Sequence, residues 1–467
     1  MPSRSPETTS PLGAPMEASG GIHAAPGRGR RMLHSATTWT VLATFVATFL
    51  LALYVATQHT AASVYDEGPH FDYIYKLLHG HLPKTASPLS QETIWELTCR
   101  GGLPWYQHPH CMHIPLPDVP VHGVNSALLY FPMYYGIAAI IAAPLHALGV
   151  DLYTAARIAS CLFYAAGTAL LTFSLIRLRL SRVAALGVGL GVMAIPAYLY
   201  QGATVTPDSM AMLCGALSVF LLTLRVSWSR RVVYATIAAT AMALTKPNFL
   251  PLAGITVLLA LLVHPSGEGR ATVRLPRLRG RNLRLTLLAL VLPVLAAGGW
   301  ELFRSHDLAP GETQPDGGLT ESLLHTKLGL GTLILQAAQY MGQPFSSSPF
   351  DTSPQGLSVA IMLAHGLLIG GTVVIALMTR REQISMGNVA AIAGLAGLAL
   401  SAVYLPATFY LTYHSTGTVP RYAFPMVPLC AAGIALTVSG RFTRWVILAG
   451  GVLFTVYVFT LVHRFFG

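Results

Sequence analysis

The stretch that decides the fold is residues 39–57, WTVLATFVATFLLALYVAT, followed after a short gap by residues 65–73, YDEGPHFDY. The first run is apolar and close to the length of about 20 residues that a helix needs to cross a bilayer. Similar runs recur towards the C-terminus, and the 467-residue chain is 53% apolar and only 10% charged. An ordinary soluble protein carries about 25% charged residues. The sequence therefore predicts an all-α polytopic membrane protein.

Eleven apolar segments are expected to form transmembrane helices. They lie near residues 39–57, 155–176, 183–201, 209–224, 232–245, 249–263, 285–303, 357–378, 386–407, 422–440 and 445–463. The first 35 residues are polar and rich in Pro, Gly, Ser, Thr and Arg. This composition predicts a disordered tail, residues 1–35, before a single transmembrane domain at 36–467.

The basic residues predict the orientation of the chain in the membrane. Most of the 29 Lys and Arg residues lie in the N-terminal tail and in alternate connections, as positive-inside topology requires. The acidic residues expected on that side are few, namely Glu7, Glu17, Glu268 and Glu382. We expect a multi-pass membrane protein with a cytoplasmic N-terminus, and the family resemblance described below implies a bacterial inner membrane. Because the net charge of +11 follows this topology, nucleic-acid binding is not expected.

Two large loops then lie on the outer side, at about residues 58–154 and 304–356. Residues 127–148 are apolar enough to span a bilayer, but a span there would invert every later connection. We expect them to lie at the outer interface or to enter and return, and Pro132 and Pro144 fit that expectation. Residues 320–341 of the second loop have an amphipathic pattern that suits the membrane surface.

Asp66 and Glu67 stand directly after the first span, and Pro69 fits the first turn of a following helix. They could simply cap that helix, which stabilises it by about 1 kcal/mol. Alternatively, they could supply a general base at the mouth of a membrane cavity, because the helix N-terminus favours an ionised carboxylate. Carboxylates at a membrane boundary are candidates for chemistry in so sparsely charged a chain.

Asp208 lies in the predicted outer turn between two spans, within residues 204–209, TVTPDS. It could cap the next helix. Since the topology places it on the same side as Asp66, the two carboxylates could instead share an acceptor or a divalent cation, Mg²⁺ or Mn²⁺. The sequence leaves these alternatives and the cofactor open.

Two cations are expected near the same surface. Lys246 lies between apolar runs too short for two full spans, so a short hairpin would sink it below the outer surface. A buried ammonium needs a cavity or an anion, unless it reaches the interface. Arg421, followed by Tyr422, opens a span at the outer side, where a guanidinium suits either a phosphate or an outer carboxylate.

Cys99 and Cys111 both fall in the first outer loop, whereas Cys161, Cys214 and Cys430 fall in predicted spans. An outer loop is exposed to oxidising conditions, so we expect a Cys99–Cys111 disulfide.

Taken in order, these motifs resemble the GT-C superfamily of polytopic glycosyltransferases, which includes protein O-mannosyltransferases and lipid A aminoarabinose transferases. The matching features are an acidic pair after the first span, a later outer Asp, a Thr-Lys pair and an Arg-Tyr-x-x-Pro element. In this chain they are Asp66-Glu67 followed by His70 and Tyr73, Asp208, Thr245-Lys246, and residues 421–425, RYAFP. The similarity is closest to uncharacterised bacterial members and covers about residues 39–440.

The chain departs from the family pattern in one element before the second span. A His-Pro-Pro-Leu-Tyr-Tyr-like sequence is often present there. Its nearest counterpart here is residues 129–135, LYFPMYY, which lacks the histidine.

The resemblance implies a polyprenyl-phosphate-linked sugar donor that enters from the membrane lipid. Asp66, with Glu67 beside it in the catalytic pair, would deprotonate an acceptor hydroxyl, and Glu67 and Asp208 would position the acceptor or bind a divalent cation. Lys246 and Arg421 would hold the leaving phosphate, and His70 and Tyr422 would also contact substrate. The acceptor would be a glycan, a lipid or a protein of the cell envelope.

Other functions remain compatible with these residues. A transporter or flippase of a lipid-linked glycan would also need an outward cavity with cations, although transporters more often show two related halves. A polymerase or ligase of lipid-linked glycans is chemically close to the first interpretation. A non-catalytic scaffold gives no reason for a recessed Lys246 or an outward Arg421.

Overall fold

The structure is a computed structural model that describes residues 28–58, 61–63, 67–85, 87–101, 111–119, 123–265, 271–273, 279–307, 355–379, 384–413, 420–438 and 440–466, with five further positions between 331 and 339. The chain is an all-α protein, as the sequence predicts. Most of residues 320–341, expected to be amphipathic, lie outside the described residues.

The helices are α1 (Arg28–Gln58), α2 (Glu67–Leu78), α3 (Gln91–Cys99), α4 (Met133–Ala147), α5 (Leu152–Arg177), α6 (Arg182–Met193), α7 (Pro196–Ala203), α8 (Ala211–Leu221), α9 (Trp228–Thr245), α10 (Leu250–Leu262), α11 (Arg281–His306), α12 (Gln355–His365), α13 (Gly371–Met378), α14 (Met386–Tyr413), α15 (Val427–Thr437) and α16 (Thr443–Phe466). A π-helical turn, Gly366–Gly370, joins α12 to α13. Short 3₁₀ turns occupy Leu116–Asp118, Ser126–Leu129, Pro207–Met210, Pro247–Phe249 and Pro420–Met426. Strands β1 (Val263–Pro265) and β2 (Ala271–Val273) form an antiparallel pair.

Six described helical segments are long and apolar enough to cross a membrane. They are Ala36–Gln58, Leu152–Arg177, Arg281–Arg304, Val359–Met378, Met386–Thr408 and Thr443–Arg464. A seventh, α6 with α7, is bent by 73°. The bend falls just before Pro196, where proline cannot donate the next helical hydrogen bond. Shorter apolar helices occupy three more predicted segments, and α9 the remaining one.

Helix α1 begins at Arg28, so residues 28–35, which the sequence assigned to the tail, are helical in the structure. Residues 30–33 are Arg, Arg, Met and Leu, all good helix formers, so the helix extends without a break beyond the apolar segment that begins at Ala36. Residues 1–27 lie outside the described part of the chain.

Helix α5 occupies the centre of the bundle, where it packs against α1, α4 and α8. Of the 18 residues in the most apolar stretch of α5, 72% are buried, whereas only 17% of the corresponding residues of α16 are buried. Helix α16 packs mainly on α6 and leaves most of its surface exposed. In a membrane protein such a peripheral helix faces lipid. Residues 133–147, whose course was the open question of the topology, form the 15-residue helix α4 beside α5.

Arg304, at the C-terminal end of α11, anchors the first large loop, residues 58–154, to the bundle. Its fully buried guanidinium donates hydrogen bonds to the carbonyl oxygens of Pro83 (2.6 Å) and Leu128 (2.9 Å), and to Asp307 (2.8 Å). The backbone N–H of Thr85 donates to the carbonyl oxygen of Asp307. The expected disulfide joins Cys99 to Cys111 in the same loop, and the other three cysteines are buried. Two segments of this loop are therefore hydrogen-bonded to the end of α11.

Candidate functional site

Asp208, Lys246 and Arg421 meet at one end of the bundle, and we call these three residues the charged cluster. Lys246 Nζ lies 2.7 Å from Asp208 Oδ1, and Arg421 Nε lies 3.4 Å from Asp208 Oδ2. All three side chains are at most 5% exposed. The sequence placed these residues on one side of the membrane, and the structure brings them into contact.

Local sequence directs the Asp208 carboxylate into the cluster. The N-cap of the 3₁₀ turn Pro207–Met210 is Thr206, whose hydroxyl accepts the backbone N–H of Asp208. The alternative in which Asp208 itself caps the helix is therefore not the one observed, and its carboxylate is directed to the two cations. Among the described residues, Asp208 Oδ2 accepts no hydrogen bond.

Lys246 occupies the break between α9 and the 3₁₀ turn that leads into α10. Its backbone is extended, with φ −157° and ψ 128°, because the following Pro247 disfavours the helical conformation at this position. The side chain is buried rather than directed to the interface. The predicted short hairpin with a recessed lysine agrees with this arrangement.

Two contacts position the 3₁₀ segment that carries Arg421. The hydroxyl of Tyr198 in α7 donates a 2.6 Å hydrogen bond to the carbonyl oxygen of Phe424. On the other side, Gly215 of α8 packs against the carbonyl oxygen of Pro425 so closely that an added Cβ would collide with it. Glycine is required at this close approach of two backbones.

Aromatic rings surround the cations. The Tyr422 ring lies 4.4 Å from Lys246 Nζ and 5.6 Å from Arg421 Cζ, and the Tyr130 ring lies 5.6 Å from Lys246 Nζ. Each geometry permits a cation–π attraction, which is stronger in a desolvated site. On its other side Tyr130 stacks with His70, with 5.9 Å between the ring centroids.

His70 is a neutral histidine next to the cluster. Its Nδ1 shares a 2.8 Å hydrogen bond with the hydroxyl of Tyr135. Burial, together with the positive charges of Lys246 and Arg421, holds the pKa of His70 well below its usual value of 6.5. The ring therefore adds hydrogen-bonding capacity to the site without adding a third positive charge.

Glu67 forms a buried ion pair with Arg157 of α5. Its Oε1 accepts Arg157 Nε (2.8 Å) and the backbone N–H of Val205 (2.8 Å). Its Oε2 accepts Arg157 Nη2 (2.8 Å) and the backbone N–H of Ser63 (2.7 Å). Burial alone would favour the neutral acid, but Arg157 and the backbone donors keep the pKa of Glu67 below its usual 4.5.

This network corrects the expected role of Glu67. With four donors on its two oxygens, the carboxylate is not available to take a proton from an acceptor. Arg157 also donates to the carbonyl oxygens of Ala56 and Ala61, so it ties the end of α1 to the start of α2. Through Val205, Glu67 also holds the turn that leads to Asp208. We therefore assign Glu67 a positioning function.

The remaining site predictions concern Asp66 and a metal ion. Asp66 lies outside the described residues. The metal site predicted at Asp66 and Asp208 finds no support around Asp208, because Lys246 and Arg421 would repel a divalent cation there. Within the described part of the chain, no group of three or more His, Cys, Asp or Glu side chains is close enough to hold a metal ion.

Sequence reasoning did not identify Arg157, Tyr130 or Tyr135 as site residues. Arg157 had a usable signal, since it is an arginine inside a 26-residue apolar helix, and charges within spans usually pair with one another. The two tyrosines belong to residues 129–135, which the sequence comparison regarded only as an incomplete family element. The structure places their rings beside His70 and, for Tyr130, beside Lys246.

The fold and site together define a helical membrane protein with a buried charged cluster at the ends of its helices. Residues 116–430 match the family described as Predicted membrane protein (DUF2142), and the chain belongs to that family. The match begins in the first outer loop and ends in α15, so it includes Asp208, Lys246 and Arg421. None of the curated proteins matches the chain.

Replacing Glu67 by Gln should destabilise the protein strongly. The change leaves the Arg157 guanidinium buried without its counter-charge, which costs about 3–5 kcal/mol of unfolding free energy. Denaturant titration of the purified protein in detergent measures the loss. The matched control is Glu96→Gln: the Glu96–Arg100 pair is partly exposed, and its loss should cost no more than about 1 kcal/mol. Equal losses in both variants would contradict the positioning function.

His70 should make stability fall as the solution becomes acidic. Because the pKa of His70 is lowered in the folded protein, only the unfolded chain takes up the proton just below pH 6.5, and folding free energy is lost from there downward. Melting temperatures at pH 7.5 and 5.5 test this. His70→Gln should show a smaller decrease than the wild type, whereas the control His81→Gln, at an exposed position of the same loop, should match the wild type. An unchanged decrease in His70→Gln would exclude this residue as the cause.

Proposed function

We propose that the protein transfers a sugar from a polyprenyl-phosphate-linked donor to a cell-envelope acceptor at the outer face of the membrane, with inversion at the anomeric carbon. The observation that carries the proposal is the contact of Asp208 with both Lys246 and Arg421. The GT-C resemblance requires residues from these separate motifs to act at one site.

The charge of the cluster favours an anionic ligand. Its three residues are two cations and one carboxylate, and all are buried. Both cations suit a lipid phosphate, and a guanidinium binds phosphate through its planar array of donors. Negative charge grows on the phosphate as the sugar leaves, so fixed cations stabilise the transition state more than the ground state.

In the proposed transfer, each bond that forms is matched by a bond that breaks, and a named residue takes the proton. The carboxylate of Asp66 takes the proton from an acceptor hydroxyl as that oxygen forms its bond to the anomeric carbon. The bond from the anomeric carbon to the lipid phosphate oxygen breaks, and the phosphate leaves with the electron pair. The positive charges of Lys246 and Arg421 stabilise the negative charge that develops on the leaving phosphate. His70, neutral beside the cluster, would contact the sugar or the phosphate through hydrogen bonds.

An apolar cavity of about 580 Å³ offers space for the isoprenoid chain of such a donor. It is lined by residues of α6, α12, α15 and α16 and contains almost no polar surface. Its lining includes Ala431 of α15, the helix that directly follows the 3₁₀ segment of Arg421. Its lining also includes Ile195, next to the helix whose Tyr198 contacts that segment. An apolar chain leaving the charged cluster would therefore meet apolar surface nearby.

The membrane topology remains part of the proposal. We propose eleven crossings from the apolar segments, a cytoplasmic N-terminus from the charge distribution and a bacterial inner membrane from the family resemblance. Each of the eleven predicted segments contains helix in the structure. The shorter ones, such as Pro207–Leu221, are partly surrounded by other helices, so they need not match the bilayer thickness independently.

Undecaprenyl phosphate should bind to the charged cluster. Calorimetric titration of this lipid into the purified protein should give an affinity that falls about tenfold or more in Lys246→Gln and in Arg421→Gln, because a charge-assisted contact to phosphate is lost. Lys84→Gln removes an exposed lysine of the first loop and serves as the matched control. Unchanged affinity in both cluster variants would exclude the phosphate site.

Asp66→Asn should abolish transfer while leaving lipid binding intact, because an amide cannot accept the proton of the acceptor. Mass spectrometry of envelope glycans would compare a strain lacking the protein with strains complemented by the wild type or by Asp66→Asn. We expect the wild type alone to restore the missing glycan. Full restoration by Asp66→Asn would remove Asp66 from the mechanism and would favour the alternative, a transporter or flippase of a lipid-linked glycan.

A further inference from the structure

A second pocket, of about 320 Å³, opens on the other side of α2 from the charged cluster. His70 of α2 packs towards Tyr135, whereas Phe71 and Tyr75 of the same helix line the second pocket. The remaining walls come from α3, the segment after Cys111 and the turn between α4 and α5. We call it the loop pocket; the residues used below are Tyr75, Glu92, Trp95, Glu96, His113 and Asp151.

The loop pocket has walls that are held in place. Cys111 is joined to Cys99 at the end of α3, and Met112 forms two backbone hydrogen bonds with the hydroxyl of Thr98. These contacts hold His113 against Trp95, with 4.9 Å between their ring centroids. The disulfide and His113, which the charged cluster does not use, therefore belong to the structure of this pocket.

Carboxylates in the pocket wall are oriented by an arginine behind them. Arg100 donates to Glu96 Oε2 (2.9 Å) and to Asp151 Oδ2 (2.6 Å). Its guanidinium also lies 4.5 Å from the centre of the Tyr153 ring. Because one cation already serves both carboxylates, these oxygens present fixed hydrogen-bond acceptors rather than two unpaired charges. Such acceptors suit a ligand that is rich in hydroxyl groups.

Aromatic surface lies beside these acceptors. Trp95 is 37% exposed, although its neighbours Thr93, Ile94 and Leu97 are buried, and Tyr75 lines the same pocket. A sugar ring has an apolar face of C–H groups and a rim of hydroxyls, so it requires a flat aromatic surface next to hydrogen-bond acceptors. A pocket of this volume is at the lower end of the range for small-molecule sites.

We propose that the loop pocket binds a neutral saccharide, with Trp95 stacking on a sugar ring and Glu92, Glu96 and Asp151 accepting its hydroxyl hydrogen bonds. The proposal that a saccharide binds here depends only on the residues of the loop pocket. The assignment of that saccharide as part of the acceptor rests on the proposed function. The acceptor would then be a glycan held in the first loop, separated by α2 from the lipid phosphate.

Saturation-transfer-difference NMR on the full chain in nanodiscs tests the proposal with mannotriose, maltotriose and galactobiose as probes. We expect saturation transfer to at least one of them, reduced about tenfold in Trp95→Ala, as for removal of a buried aromatic contact. Trp95→Tyr should retain binding and serves as the rescue variant if Trp95→Ala does not fold. Trp445→Ala, at an exposed position of α16, is the matched control.

The proposal is overturned if none of the three probes receives saturation, or if Trp95→Ala and Glu92→Gln both bind as the wild type does. Spermidine is a second probe. If it binds in place of the saccharides and Glu92→Gln abolishes that binding, the loop pocket is a cation site instead. Lys246→Gln should leave saccharide binding unchanged, so failure of the phosphate site and failure of the loop pocket give different results.

Discussion

The contact of Asp208 with Lys246 and Arg421 is the interaction around which one end of this protein is organised. A charged group loses its hydration when it is buried, and breaking a buried pair by removing one partner costs about 3–5 kcal/mol. The turn before α8, the break after α9 and the 3₁₀ segment before α15 must therefore approach one another. The helices that follow these three segments, α8, α10 and α15, are short, with 11, 13 and 11 residues.

Two further buried arginines hold loop segments against the helices. Arg157 joins Glu67 and the end of α1 to the centre of the bundle, and Arg304 joins the first outer loop to α11. In each case a guanidinium satisfies several acceptors that come from distant parts of the sequence. A guanidinium has five donors in a fixed plane, so it can hold several chain segments at once. The result is a loop surface rigid enough to form a pocket of its own.

This organisation separates two kinds of ligand chemistry on the two sides of α2. His70 faces tyrosines and cations in a buried site that suits an anion, whereas Tyr75 faces an open pocket with carboxylates. In the proposed transferase, the charged cluster would hold the lipid-linked donor and the loop pocket would hold part of the acceptor. The 12 residues of α2, about three turns, are enough to place the two sites next to each other without merging them.

Residue types and their order were sufficient to determine the all-α class, the positions of the apolar helices and several site residues, since apolar length and charge placement are local properties of a sequence. They predicted Asp208, Lys246 and Arg421 on one side of the membrane and the Cys99–Cys111 pair.

Only the tertiary structure decided which charges meet. Glu67 and Arg157 are 90 positions apart, and their pairing depends on how α2 packs against α5. The same packing makes Glu67 a positioning residue rather than a candidate base. Tyr130 lies beside Lys246, because side-chain partners in a helical bundle are set by which helix ends lie together and not by spacing along the chain.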